Sequence, residues 1–284
     1  MTQKLVLGTA NFGDKYGISN RNKLSLQEIE RILSWSTGRI SELDSSEDYK
    51  GSHSVISKHS KRFKITTKIK LNQIIDVRDL ALKVSKIKNE LGKNKIDRLL
   101  LRPHSTNPTF TLDALKELEK LRSKGEVDEI GLTIYETKEF LYFANSVDFP
   151  LTFQVPINLL NRSFSELMSS SANRFQSFTF YARSIFLQGL LLLDIREIPD
   201  QLNEAIEPIT LLDKELQGLG VSILEATFAF IRDQEWIKGI VIGVTNVDEL
   251  KENFEVFNQP ISLNWDFLNR MPNAPERVLD PRLW

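Results

Sequence analysis

The chain has 284 residues, 41% of them apolar, enough for one large domain with a sizeable core. Its 37 basic and 38 acidic residues leave a net charge of −1 with no basic stripe, which argues against nucleic-acid binding as its main task. No cysteine is present, so disulfides, thiolate zinc sites and cysteine nucleophiles are excluded, and three histidines (His53, His59 and His104) are too few for a His-rich metal centre. The opening MTQKLVLGTANFG lacks the apolar run of a signal peptide, and no stretch of about 18 apolar residues follows, so a soluble cytoplasmic protein without membrane contact is expected.

In chain order, KLVLG (4–8) reads as the first strand. LSLQEIERILSWS then sets Leu26, Ile29, Ile32 and Leu33 at helical spacing. RISELD (39–44) and FKITTKI (63–69) are the next strands. DVRDLALKVSKIKNEL puts Leu80, Val84, Ile87 and Leu91 on one helix face, with Asp76 as its N-cap. After the strand IDRLLLR (96–102), TLDALKELEKLRSKG carries Leu112, Leu115, Leu118 and Leu121 and stops at Gly125. VDEIGLT (127–133), LTFQVP (151–156), FTFYARS (178–184) and KGIVIGV (238–244) complete eight strands, and DELKENFEVF gives the last helix.

Strands alternating with helices imply parallel pairing and right-handed crossovers, and eight units in about 250 residues fit a single (β/α)₈ TIM barrel over residues 1–284. An open doubly wound sheet is the competing architecture, but no G-x-G-x-x-G follows the first strand. The tail after Pro260, irregular and aromatic, reads as a lid over the barrel mouth, with Trp265, Arg270 and Trp284 lining it or packing the tail.

Four residues at the ends of three consecutive strands carry chemistry: Asp44, Tyr49, Lys68 and His104. Barrel enzymes keep their active sites at this C-terminal rim. A free tyrosine, with a pKa of about 10, is a poor acid near neutrality, and a neighbouring ammonium favours its phenolate. An Asp paired with that Lys holds it in place and charged, and a His in reach of the same oxygen polarises a carbonyl. Taken singly, Asp44 reads as a turn or cap residue, Tyr49 as a packed surface aromatic and His104 as a helix cap. Lys68 stands out, because an apolar strand disfavours an unpaired ammonium. His53 and His59 read as solvated helix residues, and Glu47 and Asp48 as loop charges. Lys50 and Arg102 flank catalytic positions, where either is placed to meet an anionic substrate.

The segment D44-S-S-E-D-Y49-K50, with Lys68 ending the next strand and His104 the one after, resembles the aldo-keto reductase family, whose corresponding motif is Asp-Thr-Ala-x-x-Tyr-Gly. LGTANFG, EIGLT (129–133), QVPINLLNR (154–162), RSIFLQGLLL (183–192) and VIGVTNVDELKEN (241–253) extend the resemblance almost end to end. Lys50 replaces the usual Gly, His53 stands where Glu is common, and Ile134 replaces a frequent Asn.

The resemblance implies an oxidoreductase that reduces an aldehyde or ketone by hydride transfer from NADPH, the family default, or NADH. It assigns Asp44, Tyr49, Lys68 and His104 to catalysis. It places Gly8, Thr9, Ala10 and Asp44 at the cofactor, with Thr133 and Gln154 on the carboxamide and Ser184, Phe186 and Gly189 along the pyrophosphate. Gly243, Val244, Thr245, Asn246, Glu249, Glu252 and Asn253 fall at the adenosine end. Glu249 stands where many NADPH-dependent members carry Arg or Gln, and an anion there repels a 2′-phosphate unless Lys251 or another base compensates. GTANFGDKYGISN and the ending DPRLW are most similar to a bacterial branch associated with surface sugars, which implies a keto, aldehydo or nucleotide-linked sugar as substrate. The partner expected is thus a small-molecule carbonyl substrate. A dinucleotide-binding regulator or sensor on the same fold is the alternative, and some other barrel enzyme such as a lyase a third.

Overall fold

In the computed structural model, which describes residues 3–13, 17–18 and 23–284, the eight strands pair in sequence order into a closed parallel barrel. They are β1 (Lys4–Gly8), β2 (Glu42–Asp44), β3 (Lys64–Lys70), β4 (Ile96–Arg102), β5 (Val127–Thr133), β6 (Thr152–Pro156), β7 (Thr179–Arg183) and β8 (Ile237–Ile242), with β1 pairing β8 to close the ring. The segment GDKYGISN falls largely at residues 14–16 and 19–20, outside the described residues, so the branch resemblance it carries has no structural counterpart here.

Side chains alternate across each strand, so i and i+2 share a face. On β3 and β4, Ile65, Ile69, Leu99 and Leu101 are fully buried in the hydrophobic core, while Thr66, Lys68, Arg98 and Arg102 share the opposite parity and face the lumen. The outer helices form where local signals agree. Ser25 caps Leu26–Ser36 by accepting from Glu28 N, Asn107 caps Pro108–Ser123 with Pro at its first turn, and Ser222 and Glu225 form a reciprocal capping box on Ile223–Arg232. Gly125 follows the end of Pro108–Ser123 with φ +76°, a left-handed conformation that disfavours a side chain.

Three local readings change. β2 begins at Glu42 rather than Arg39, because the N–H groups of Arg39 and Ile40 are spent on Ser36 O in the turn that ends the preceding helix. Asp76 caps a short 3₁₀ turn, Val77–Asp79, that leads into the helix Leu80–Leu91 instead of capping that helix itself. β8 ends at Ile242, and Val244 O accepts from Asn11 Nδ2 at 3.1 Å rather than from a neighbouring strand.

The tail is not a lid built from tryptophans. Trp265 packs edge-on against Phe230 and donates to Asp233 Oδ2 at 2.7 Å, at the barrel end where β8 starts. Trp284 donates to Arg277 O at 2.9 Å, and neither tryptophan nor Arg270 lines the mouth cavity. The tail reaches the mouth through Arg282, whose guanidinium lies 3.7 Å from the centre of the Tyr135 ring. Among the described residues no helix is long and apolar enough to cross a membrane.

Candidate active site

The loop after β2 is fixed by the backbone before any side chain acts. Ser45 N donates to Thr66 O at 2.8 Å and Glu47 N to Lys68 O at 3.2 Å, so the loop runs along the end of β3. Tyr49 N donates to Ser46 O at 3.1 Å, closing the turn that carries the phenol. Opposite it, a Cβ on Gly13 would lie 1.6 Å from Lys50 O, so only glycine lets the N-terminal segment pack this closely on the loop.

Asp44, Tyr49 and Lys68 then meet over a cavity of about 350 Å³ at the C-terminal end of the strands. Lys68 Nζ donates to Asp44 Oδ2 and, at 3.2 Å, to Ser45 O, and it lies 5.7 Å from the centre of the Tyr49 ring. Asp44 Oδ1 accepts from Gln154 Nε2 at 2.7 Å, so this carboxylate ties β2, β3 and β6 together. Burial pulls the Lys68 ammonium below its ordinary pKa, Asp44 opposes that, and the like charges of Arg183 and Arg102 add to it.

From this centre the cavity extends along the residues the resemblance assigns to the cofactor. Gly8, Ala10, Thr133, Gln154, Ser184, Phe186, Gly189, Gly243, Thr245 and Glu249 all line it. Ser184, Leu187 and Gln188 are the non-glycine residues with positive φ among those described, at 54°, 50° and 55°. Such strain, of order 1 kcal/mol per residue or more, clusters at ligand-binding segments. Thr9, Val244, Asn246, Glu252 and Asn253 do not line the cavity. Thr9 is buried and accepts from Ser52 Oγ, Asn246 caps the helix Val247–Asn258, and Asn253 is buried with Nδ2 donating to Glu249 O. Glu249 accepts from both N and Oγ1 of Thr245 at 2.7 Å, whereas Lys251 pairs with Asp248 at 2.8 Å and is committed away from it.

The fourth position departs most from expectation. His104 lies two residues past β4 and does not line the cavity. Its Nδ1 accepts from Thr106 N at 3.3 Å, its N donates to Thr111 Oγ1 at 3.0 Å, and its ring packs edge-on against Phe110. The side chain that β4 delivers to the cavity is Arg102, four residues from the lumen-facing Arg98 and therefore on the same face. Strand parity was the signal available in the sequence for this residue. Tyr135, also lining the cavity, carried no motif that set it apart, and Arg183 opens the motif RSIFLQGLLL but was not singled out within it.

His53 and His59 are buried rather than solvated. His53 bridges Thr67 Oγ1 and Glu90 Oε2, each at 2.9 Å, locking the helix Ser52–Ser57 to the outside of β3, and His59 pairs with Glu30. Glu47 pairs with Lys83 at 2.7 Å and Asp48 with Arg102 at 3.4 Å. Among the described residues no group of three or more His, Asp or Glu side chains is placed to hold a metal ion.

Comparison with known proteins agrees with this architecture. The sequence profile described as "Aldo/keto reductase family" matches residues 4–265. Protein tas of Escherichia coli is 26% identical over 175 residues, which cover 54% of this chain and 49% of that protein, so the chain spans about half the length of the curated relatives it matches. A glycerol dehydrogenase from Gluconobacter oxydans superposes with a TM-score of 0.68 at 16% identity, covering 94% of this chain and 89% of the other. A thermostable aldo-keto reductase crystallised with the inhibitor epalrestat gives a TM-score of 0.70 at 18% identity, with 94% and 93% covered. At these identities the superpositions speak for the barrel, and the profile match over nearly the whole chain speaks for the relationship: the chain belongs to the aldo/keto reductase family.

Proposed function

We propose that this chain is a carbonyl reductase working as one barrel domain, in which Tyr49 delivers the proton to the substrate oxygen. The observation that carries the reading is the buried Lys68–Asp44 pair set against the Tyr49 ring inside the mouth cavity.

The cavity's polar lining fits a nicotinamide dinucleotide. Gln154 spends its amide N–H on Asp44, which leaves its carbonyl oxygen for an amide donor, and Thr133 stands beside it on the next strand, paired in register. Gly243 has open space where a Cβ would stand, a suitable approach for a backbone-bound phosphate or ribose. Bound there, the reduced nicotinamide supplies the hydride. Tyr49 would donate its phenolic proton to the carbonyl oxygen as negative charge builds there. The ammonium of Lys68 stabilises the phenolate left behind, and Asp44 fixes the ammonium against the desolvation of its site. The products are an alcohol and the oxidised dinucleotide.

Glu249 leans the choice of dinucleotide toward NADH. Glu249 lines the cavity and, among the described residues, no base pairs with its carboxylate, so a 2′-phosphate at that end meets like charge, while a 2′-hydroxyl can donate to it. Parallel fluorescence titration of the protein with NADH and NADPH tests the reading. Binding of NADH at least as tight as NADPH is expected, and binding of neither would overturn it. Tyr49→Phe is expected to keep the dinucleotide affinity and lose turnover.

A further inference from the structure

Three cationic side chains converge on the reacting end of the cavity. Lys68 is neutralised by Asp44. Arg102 ends β4 on the lumen face, about a third exposed, and its NH1 makes a 3.4 Å contact to Asp48 Oδ2, near the limit of a hydrogen bond. Arg183 ends β7 on the other side of the opening. Its NH2 donates to Ile134 O at 3.0 Å and its NH1 to Ser184 Oγ at 3.2 Å, while its Nε is buried with no hydrogen-bond partner and no carboxylate pairs with it among the described residues. Both arginines lie near enough to Lys68 to bear on its charge. Arg183 stacks 4.1 Å from the centre of the Tyr135 ring, which Arg282 also covers, and Arg282 is itself satisfied by Asp280. Glu139 is a further acid in this corner, near enough to Arg183 and Arg282 to feel their charge. It accepts from Tyr135 N, and burial pushes its carboxyl toward the neutral form.

Holding Arg183 in this wall is costly, because its buried Nε has no acceptor among the described residues and forfeits its hydration. It becomes favourable once an anion with several oxygens arrives, since guanidinium forks match carboxylate and phosphate in pairs of hydrogen bonds. We propose that Arg102 and Arg183 clamp an anionic group on the substrate, so the substrate class is a carbonyl compound carrying a carboxylate or phosphate close to its aldehyde or ketone. This rests on the reductase reading above. The clamp places the negative group beside Lys68 and the carbonyl within reach of Tyr49, and it leaves the dinucleotide end at Glu249 untouched. Asp48 acts as a weak internal competitor for Arg102.

Two matched pairs separate the possible sources of the anion: glyoxylate against methyl glyoxylate, and glyceraldehyde 3-phosphate against glyceraldehyde, each reduced with NADH. In the wild type, at least one anionic member should have a kcat/KM on the order of 30-fold or more above its neutral partner. Arg102→Gln and Arg183→Gln should each erase that ratio by raising KM for the anion, Arg102→Gln with NADH affinity unchanged, and Asp48→Asn should lower KM for the anion. Calorimetric titration of the NAD-loaded protein with oxalate and with inorganic phosphate gives a readout independent of turnover. Binding of either that is lost in Arg102→Gln supports the clamp even if no substrate is turned over, an outcome that would count against the reductase reading alone. Neutral partners preferred in both pairs, or anion binding retained in both arginine variants, would overturn the proposal.

Discussion

At the floor of the barrel Arg98 donates to Glu42, Thr66, Glu129 and Tyr181, and Lys4 reaches Glu42 as well. At the mouth Lys68 has Asp44 as its counter-ion, while Arg102 makes a 3.4 Å contact to Asp48 and Arg183 donates to Ile134 O and Ser184 Oγ with no carboxylate partner among the described residues. Both clusters come from the lumen-facing parity of the same strands: Glu42 and Asp44 on β2, Arg98 and Arg102 on β4, Tyr181 and Arg183 on β7. The floor matches two cations with two carboxylates and holds a phenol in place, so it has nothing left to offer a ligand. The mouth lies two or four residues further along each strand, opens into a cavity and keeps an excess of donors. In one scaffold, full pairing marks a structural ion cluster and incomplete pairing marks a site, because an unmatched buried donor costs free energy until a ligand supplies the acceptor.

The variants that test this contrast should act differently at the two ends. The largest effect expected is at the mouth: Tyr49→Phe and Lys68→Met should each lower turnover by about 10³-fold, roughly 4 kcal/mol of transition-state stabilisation; Tyr49→Phe should leave stability unchanged, whereas Lys68→Met, which strands the buried Asp44, should also lower it. Single-turnover kinetics with circular dichroism checks both halves, and a variant with undiminished turnover breaks the assignment. At the floor, Arg98→Met should lower unfolding free energy by about 3–5 kcal/mol in urea titrations, since it strands the buried Glu42 carboxylate. Loss of activity without loss of stability would contradict the structural role.

The pH dependence sharpens the same point. Burial pushes the Glu42 carboxyl up, but the charge of Arg98, with help from Lys4, more than reverses this and holds it below the ordinary carboxylate value. A depressed acid contributes stability above its unfolded value and loses it as pH falls through the folded one, so unfolding free energy should drop below about pH 4.5, and less so in Glu42→Gln. Burial, together with Glu42 and Glu129, pushes the Tyr181 phenol well above its ordinary range against the pull of Arg98. The unfolded phenol ionises first, so stability should also fall above about pH 10, and Tyr181→Phe should remove that alkaline limb. The smallest effect expected is at the far end of the mouth. Glu249→Gln should shift the NADPH-to-NADH affinity ratio toward NADPH by about tenfold, near 1.4 kcal/mol, read by fluorescence titration.

Much of the fold was legible in the sequence. Each predicted strand overlaps an observed one, since apolar runs and turn signals act over a few residues and the barrel asks only that they alternate with helices. The meeting of Asp44, Tyr49 and Lys68 was legible for the same reason, because fixed spacing at the ends of two neighbouring strands carries them to one rim. His104 stands just past its strand, as its place in the sequence implies, but the setting of a loop histidine depends on the turn it enters, here one in which its ring meets Thr106 and Phe110. The burial of His53 and His59 and the path of Trp265 depend on partners some 30 residues away in sequence, Glu90, Glu30 and Asp233.

The sequence by itself determined the alternation, the barrel and the chemical types at the strand ends, because those follow from local periodicity and spacing. Only the tertiary structure decided which charges are matched. Arg98 and Arg102 stand four residues apart on one strand, and no local rule distinguishes them. What distinguishes them is that Glu42, Glu129 and Tyr181 meet the first from three other strands, while the second meets a cavity.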